Sequence, residues 1–100
     1  MLIIAGHIQI NPDHVEKLMP AAVEMMAATH QEEGCQEYVF SEDPATPGRI
    51  MVFEVWDSDE ALGAHFAAPH MAAFQAKMVD IDVQGRSLNK YDVASVESLG

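Results

Sequence analysis

Residues Glu33–Phe74 read EGCQEYVFSEDPATPGRIMVFEVWDSDEALGAHFAAPHMAAF. Two runs rich in apolar and aromatic residues, Cys35 to Glu42 and Arg49 to Asp57, flank the connector SEDPATPG. Its prolines and glycine suit a turn and oppose continuation of either run, so the pair reads as two strands. In the second strand Ile50, Val52, Glu54 and Trp56 share one face, while Met51, Phe53 and Val55 share the other. Both faces are largely apolar, so a sheet containing this strand needs cover on two sides. Helices supply one cover, and a second subunit is the simplest source of the other.

The same stretch continues into a helical region. Asp57 and Glu60 have the spacing of a capping box, and Ala61, Leu62, His65 and Phe66 follow at helical intervals with Leu62 and Phe66 toward the core. Pro69 breaks this run and starts a further helix carrying Ala73, Phe74 and Met78. Upstream, Leu2 to Ile10 alternates as a strand, with Leu2, Ile4, Ile8 and Ile10 on one face and Ile3, Ala5, His7 and Gln9 on the other. Asn11-Pro12 is a helix start, and Val15, Leu18, Met19, Ala22, Met25, Met26 and Thr29 carry a helix to about Gln31. Pro20 inside it removes one backbone hydrogen bond and predicts a kink, and Gly34 reads as a left-handed cap. Downstream, a last strand runs from about Gln84 to Val93, followed by a loose SVESLG tail. The order β-α-β-β-α-β is the ferredoxin-like plan: one α+β domain over residues 1–100, an antiparallel four-stranded sheet with helices on one face.

Composition narrows the partners. Five Lys and Arg against sixteen Asp and Glu give a net charge of −11, which repels phosphate backbones and anionic lipid, so neither nucleic acid nor membrane is an expected partner. Solubility alone accounts for such a charge. Cys35 is the single cysteine, which excludes an internal disulfide, and the acids around it oppose thiolate formation, so a buried structural cysteine is expected. The start MLIIAGH lacks a signal-sequence pattern, no run reaches transmembrane length, and a reducing cytoplasm is the expected location.

Several residue types in the chain can do chemistry. An imidazole such as His65 can take a proton from a phenol or enol and return it, although a core-edge histidine bonding a carbonyl is an equal reading. His70, just after Pro69, can bind or polarise a substrate oxygen, with a packing or capping role slightly favoured. Glu54 lies between apolar Val52 and Trp56 on one strand face, so it is either a base of raised pKa or, the stronger reading, paired with Arg49, Arg86 or a residue of a second subunit. Trp56, Tyr38, Phe40, Phe53, Phe66 and Phe74 can line a flat aromatic cavity or simply form core. His7 has an open role, and His14 and His30 are expected to be solvated at the ends of the first helix. His65 and His70 stand five apart across Pro69 rather than at the i, i+4 spacing that sets two imidazoles on one helix face, so no metal site is expected. Nor is there a phosphate loop, a dinucleotide fingerprint or a Ser-His-Asp signature.

The EEGC segment ending at Cys35, Tyr38, the Glu54-x-Trp56 strand end, Ser58, Glu60-Ala61, His65 and the Pro69-His70 to Phe74 segment together resemble the antibiotic biosynthesis monooxygenase family. The likeness covers nearly the whole chain in element order. It implies a dimeric α+β barrel, but not one reaction, since relatives include quinol monooxygenases, polyketide-tailoring oxygenases, haem-degrading enzymes and a signal-molecule isomerase. The haem-degrading branch has an asparagine late in the first strand and a tryptophan and histidine ten apart in the second helical region. This chain has Gly6, His65 and Gln75 there, which places haem degradation below the other readings. The resemblance favours a cofactor-independent monooxygenase acting on a small aromatic with dioxygen, with His65 as base, His70 and Glu54 in support, and the aromatic residues holding the ring. An isomerase or tautomerase of a small carbonyl compound, and a non-catalytic ligand-binding dimer, are the rival expectations.

Overall fold

Alternating side chains set the sheet. In the computed structural model, which describes residues 1–100, β1 (Leu2–Ile10) lies between β3 (Arg49–Trp56) and β4 (Val83–Asp92), with β2 (Cys35–Glu42) outside β3. The order is β2-β3-β1-β4 and every neighbouring pair is antiparallel. The register sets Leu2 opposite Trp56, Ile4 opposite Glu54 and Ile8 opposite Ile50, while Tyr38 and Phe40 of β2 oppose Glu54 and Val52. All of these side chains therefore share the face on which the helices pack. This is the ferredoxin-like α+β arrangement expected from the element order.

The connection from β1 to the first helix follows the Asn-Pro signal. Asn11 Oδ1 accepts the Asp13 N–H at 3.0 Å, Pro12–His14 form a 3-10 turn, and α1 (Val15–Thr29) continues from it. Leu18, Ala21, Ala22, Met25 and Thr29 form its buried stripe, while Pro20 is exposed within an uninterrupted helix. The helix ends two residues before the expected Gln31, and Gly34 is not its cap. Gly34 instead adopts φ +86° in the turn before β2, where an added Cβ would lie 2.6 Å from the Ala61 Cβ. The β2–β3 connector closes as a turn, with the Asp43 N–H donating to the Arg49 carbonyl at 2.8 Å and the Gly48 N–H to Glu42 Oε2 at 3.0 Å.

Two short helices follow β3, α2 (Asp59–Phe66) and α3 (Pro69–Met78). The α2 cap is Ser58, whose hydroxyl accepts the Ala61 N–H at 3.1 Å; Asp57, expected in that place, instead accepts from the Gln36 amide at 2.6 Å. The core lies between the helices and the sheet, built from Ile10, Leu18, Met25, Ile50 and Trp56, among others. No helix is long and apolar enough to cross a membrane.

The layers leave two parts of the sheet without cover. The helices do not reach over most of β4, since only Val83 in it is even half-buried. The sheet's other face, where Ala5, His7, Val39, Met51 and Phe53 lie, stays open, with Phe53 44% exposed. Gly34→Ala is expected to lower stability by roughly 1–3 kcal/mol, from the strained φ and the contact with α2. A urea denaturation midpoint equal to that of the wild type would show that α2 does not press on this turn.

Candidate active site

Where the helix-covered part of the sheet meets uncovered β4, a cleft opens beside α2 and α3. A cavity of about 210 Å³ opens there, walled by Ile8, Tyr38, Phe40, Phe74 and Leu88 and bordered by Glu54, Gln75 and Arg86. A second hollow of about 300 Å³ continues from it and shares Glu54, Phe66 and Leu88. The walls are mostly apolar with a few convergent polar groups, the usual makeup of a small-molecule site. The strand alternation explains the lining: Tyr38, Phe40, Glu54, Arg86 and Leu88 all stand on the helix-facing side of the sheet.

Glu54 is 8% exposed, and its one hydrogen bond is from the indole of Trp56, Nε1 to Oε1 at 2.9 Å. The expected partners Arg49 and Arg86 do not reach it. Arg49 opens β3 five residues earlier, and Arg86 lies opposite Ile8, four positions along β1 from Ile4, the residue that faces Glu54. Burial pushes the Glu54 carboxyl above its ordinary 4.5, a rise that the Trp56 hydrogen bond only partly opposes. Tyr38, its cross-strand neighbour, is raised as well, by burial first and then by the negative charges of Glu54 and Glu32. The cavity therefore presents a carboxyl group drawn toward neutrality beside a phenol that keeps its proton. One can accept a proton and the other can donate a hydrogen bond.

The histidines form a separate cluster. His65, expected as the base, is 1% exposed and does not line the cavity. Its Nδ1–H donates to Glu32 Oε2 at 2.6 Å, and His70 Nε2–H donates to the same oxygen at 2.8 Å. A carboxylate offers only acceptors, which assigns the protons to the rings. The His65 ring packs on Trp56 and Tyr38 at centroid distances of 4.9 and 5.1 Å, and its Nε2 is buried without a partner. Although five apart in sequence, His65 and His70 converge because they sit in the last turn of α2 and the first of α3, on either side of the Pro69 break. Donor atoms of Glu32, His65 and His70 lie within 4.8 Å of one another, so this trio could hold a metal ion. Bonds of about 2.0–2.2 Å to a tetrahedral ion would spread two ligand atoms to about 3.3 Å, so the pair now at 2.6 Å would first have to part.

The remaining candidates divide by face and depth. Phe74 and Phe40 line the cavity with ring centroids 5.8 Å apart. Trp56 is fully buried and does not line the cavity; its indole meets the site only as the donor to Glu54. Phe66, expected in the core, is 62% exposed and forms the rim. Phe53 and His7 stand on the open face of the sheet, since odd positions of β1 and β3 point away from the helices, so the cavity receives neither. His14 is half-buried and its Nδ1 accepts the Asp82 N–H at 2.9 Å, while His30 Nε2 lies 2.9 Å from the Tyr38 carbonyl; neither is simply solvated. Cys35 is half-buried, its thiol raised by burial and then by Glu32, Glu54 and Glu37. Sequence patterns do not single out Glu32 or Gln75, and they offer Arg86 only as a partner for Glu54. For Arg86 a signal is present, because it shares strand parity with Leu88.

Comparison with known proteins agrees with this architecture. The family model described as "Antibiotic biosynthesis monooxygenase" matches residues 1–77. An uncharacterized protein of Synechocystis, sll1783, is 29% identical over 98 residues, covering 98% of this chain and 67% of that protein. A Deinococcus radiodurans crystal structure, provisionally named an antibiotic biosynthesis monooxygenase, superposes with a TM-score of 0.88 at 27% identity, covering 100% of this chain and 99% of that one. A conserved Bacteroides thetaiotaomicron protein of unknown function, suggested to be an oxidoreductase, gives 0.79 at 27% identity over 90% of this chain and 94% of that one. The chain belongs to the antibiotic biosynthesis monooxygenase family.

Proposed function

We propose that the protein is a cofactor-independent monooxygenase that oxidises a small hydroquinone-like or phenolic substrate with dioxygen, using Glu54 as the base. The observation that carries this reading is the placement of Glu54: nearly buried, at the wall of an aromatic-lined cavity, with its carboxyl group raised by burial above its ordinary value. Phe40, Phe74 and the Tyr38 ring hold the aromatic substrate and limit water, and Glu54 removes a hydroxyl proton. The resulting phenolate is electron-rich and reduces dioxygen, forming a bond between a ring carbon and one oxygen atom. The peroxide accepts a proton, for which Glu54 in its acid form is the nearest source. Cleavage of the O–O bond with loss of the ring C–H proton then leaves a new carbonyl and water. A hydroquinone and dioxygen thus become a hydroxyquinone and one water, the four electrons coming from the substrate.

His65 and His70 act as positioning residues in this scheme. Through Glu32 they tie the turn before β2 to both short helices, and the His65 ring braces Trp56 and Tyr38. The same pairing of Glu54 with the Tyr38 hydroxyl also suits a keto–enol isomerisation, which moves a proton without dioxygen. Turnover that persists anaerobically would select that second reading.

Oxygen uptake with a panel of hydroquinones should exceed the buffer rate in the wild type and fall about 10²–10⁴-fold in Glu54→Gln, the usual contribution of a general base. Absence of uptake across the panel removes the oxygenase, and unchanged uptake in Glu54→Gln removes Glu54 as base. The wild-type rate should rise with pH through a group titrating above 4.5, because only the carboxylate accepts a proton.

Stability should show the opposite trend. The folded state holds the Glu54 proton more tightly than the unfolded chain does, so this group makes stability decline as pH rises from 4.5 through the raised value. Glu54→Gln keeps an acceptor for the Trp56 indole and removes that decline. It is therefore expected to match or exceed the wild type in thermal midpoint at pH 7, and a lower midpoint there would count against the burial cost assigned to Glu54.

We also propose that a second copy of the chain covers the open sheet face. Met51, Phe53 and Val39 are exposed there in one apolar group. The wild type should sediment as a dimer and Phe53→Glu as a monomer; a monomeric wild type would remove this assignment.

A further inference from the structure

We propose that the cavity selects an aromatic substrate bearing a carboxylate, held by Arg86 at the end of the cavity away from Glu54. The inference rests on the reading of this cavity as the substrate site. Arg86 stands on β4 opposite Ile8, on the helix-facing side, and lines the cavity with Phe74 and Gln75. The chain has sixteen acids and only five lysines and arginines, so a cation has many potential partners. Three of the other four are engaged through their charged groups: Lys77 with Glu24 at 3.4 Å, Lys90 with Asp59 at 3.0 Å and Lys17 with the Asp80 carbonyl at 3.3 Å. Arg49 makes no side-chain hydrogen bond, its Nε being buried without a partner, but it has the strand parity of the open sheet face and does not line the cavity. Arg86 is exposed at the border of an apolar hollow and makes no side-chain hydrogen bond or ion pair. Gln75 above it, from α3, donates one amide N–H to the Met71 sulfur at 3.6 Å, which leaves its second N–H available to an anion.

The two ends of the cavity are therefore chemically distinct. Glu54 and Tyr38 define the reacting end, and Arg86 with Gln75 forms an end made for an anion. Glu54 faces Ile4 and Arg86 faces Ile8 from opposite flanks of β1, so their backbones are about 13 Å apart along the strand and about 10 Å across it. Both residues line the one cavity that lies over this interval, and an aromatic ring with a carboxylate would bridge them there. A planar guanidinium pairs with a carboxylate through two parallel hydrogen bonds, a geometry that a lysine in this position would lack. The polarity also sets the direction of binding. The carboxylate is drawn to Arg86 and repelled by Glu54, so the ionisable hydroxyl is the group left facing the base.

Anaerobic titration calorimetry with 2,5-dihydroxybenzoate and with 1,4-dihydroxybenzene tests this independently of turnover. The wild type should bind the carboxylated compound about 10–100-fold more tightly, the range of a charge-assisted hydrogen-bonded pair. In Arg86→Gln that preference should collapse to within about 3-fold, with Arg86→Lys intermediate. Lys17→Gln removes the same charge far from the cavity and should retain the preference; its loss there would mark a general charge effect and overturn the assignment. Equal affinity for the two compounds in the wild type, no binding of the carboxylate at millimolar concentration, or a preference unchanged in Arg86→Gln would each overturn it. Arg86-dependent carboxylate binding without oxygen uptake would sink the monooxygenase reading and leave this one standing. Oxidation of 1,4-dihydroxybenzene with no carboxylate preference would do the reverse.

Discussion

The hydrogen bond from the Trp56 indole to Glu54 is the interaction on which the site depends. A carboxyl group at 8% exposure has lost most of its water, and leaving a buried polar group unpaired costs about 1–3 kcal/mol. Trp56 supplies one donor, and the indole is itself fully buried, so neither partner can turn away without losing the other. One donor is fewer than a carboxylate can use, and its remaining acceptor positions face the cavity. Burial raises the proton affinity of Glu54, and this single hydrogen bond only partly opposes the rise. A fully paired carboxylate, such as one bridged by an arginine, would fold more comfortably and bind a substrate proton poorly.

Glu32 performs the matching structural task. From the turn between α1 and β2 it accepts one hydrogen bond from α2 and one from α3, both on the same oxygen. Each of these helices is short, and an isolated helix of eight or ten residues is not stable in water. Their positions come from packing and from this shared acceptor. The His65 ring then transmits the position of α2 to Trp56 and Tyr38 by direct contact. Gly34, two residues after Glu32, lets α2 approach closely enough for the arrangement to form. The cluster and the cavity are thus mechanically linked although no hydrogen bond joins them.

The strand pattern carries most of the fold into view from sequence. Period-two alternation in β1 and β3 assigns every side chain to a face, and the Asn11-Pro12 and Pro69 signals place helix starts within a residue. The family resemblance is visible through residues such as Tyr38, Glu54 and His65. The choice among those residues is not. In a helix of eight residues His65 and Phe66 are adjacent, and a rotation of 100° decides which is core; the structure buries His65 and exposes Phe66. Helical spacing alone cannot fix that angle when both neighbours are amphipathic. Glu32 is hidden for a different reason: its partners are 33 and 38 residues away, and no local pattern encodes such a contact. Phe53 shows the opposite failure, because alternation places it correctly on the far face while its aromatic ring invites assignment to the pocket.

Alternation also separates assembly from chemistry. Every strand residue lining the cavity, from Ile8 and Tyr38 to Glu54, Arg86 and Leu88, has the parity that points toward the helices. Every residue of the open apolar face has the other parity. A one-residue slip between strands would exchange the two sets, so register is under constraint from both sides of the sheet. With the register kept, a partner seated on Phe53 and Met51 would lie on the side of the sheet opposite Glu54 and its cavity. The proposed dimer contact would then rest on the back of the same strands that carry the cavity walls.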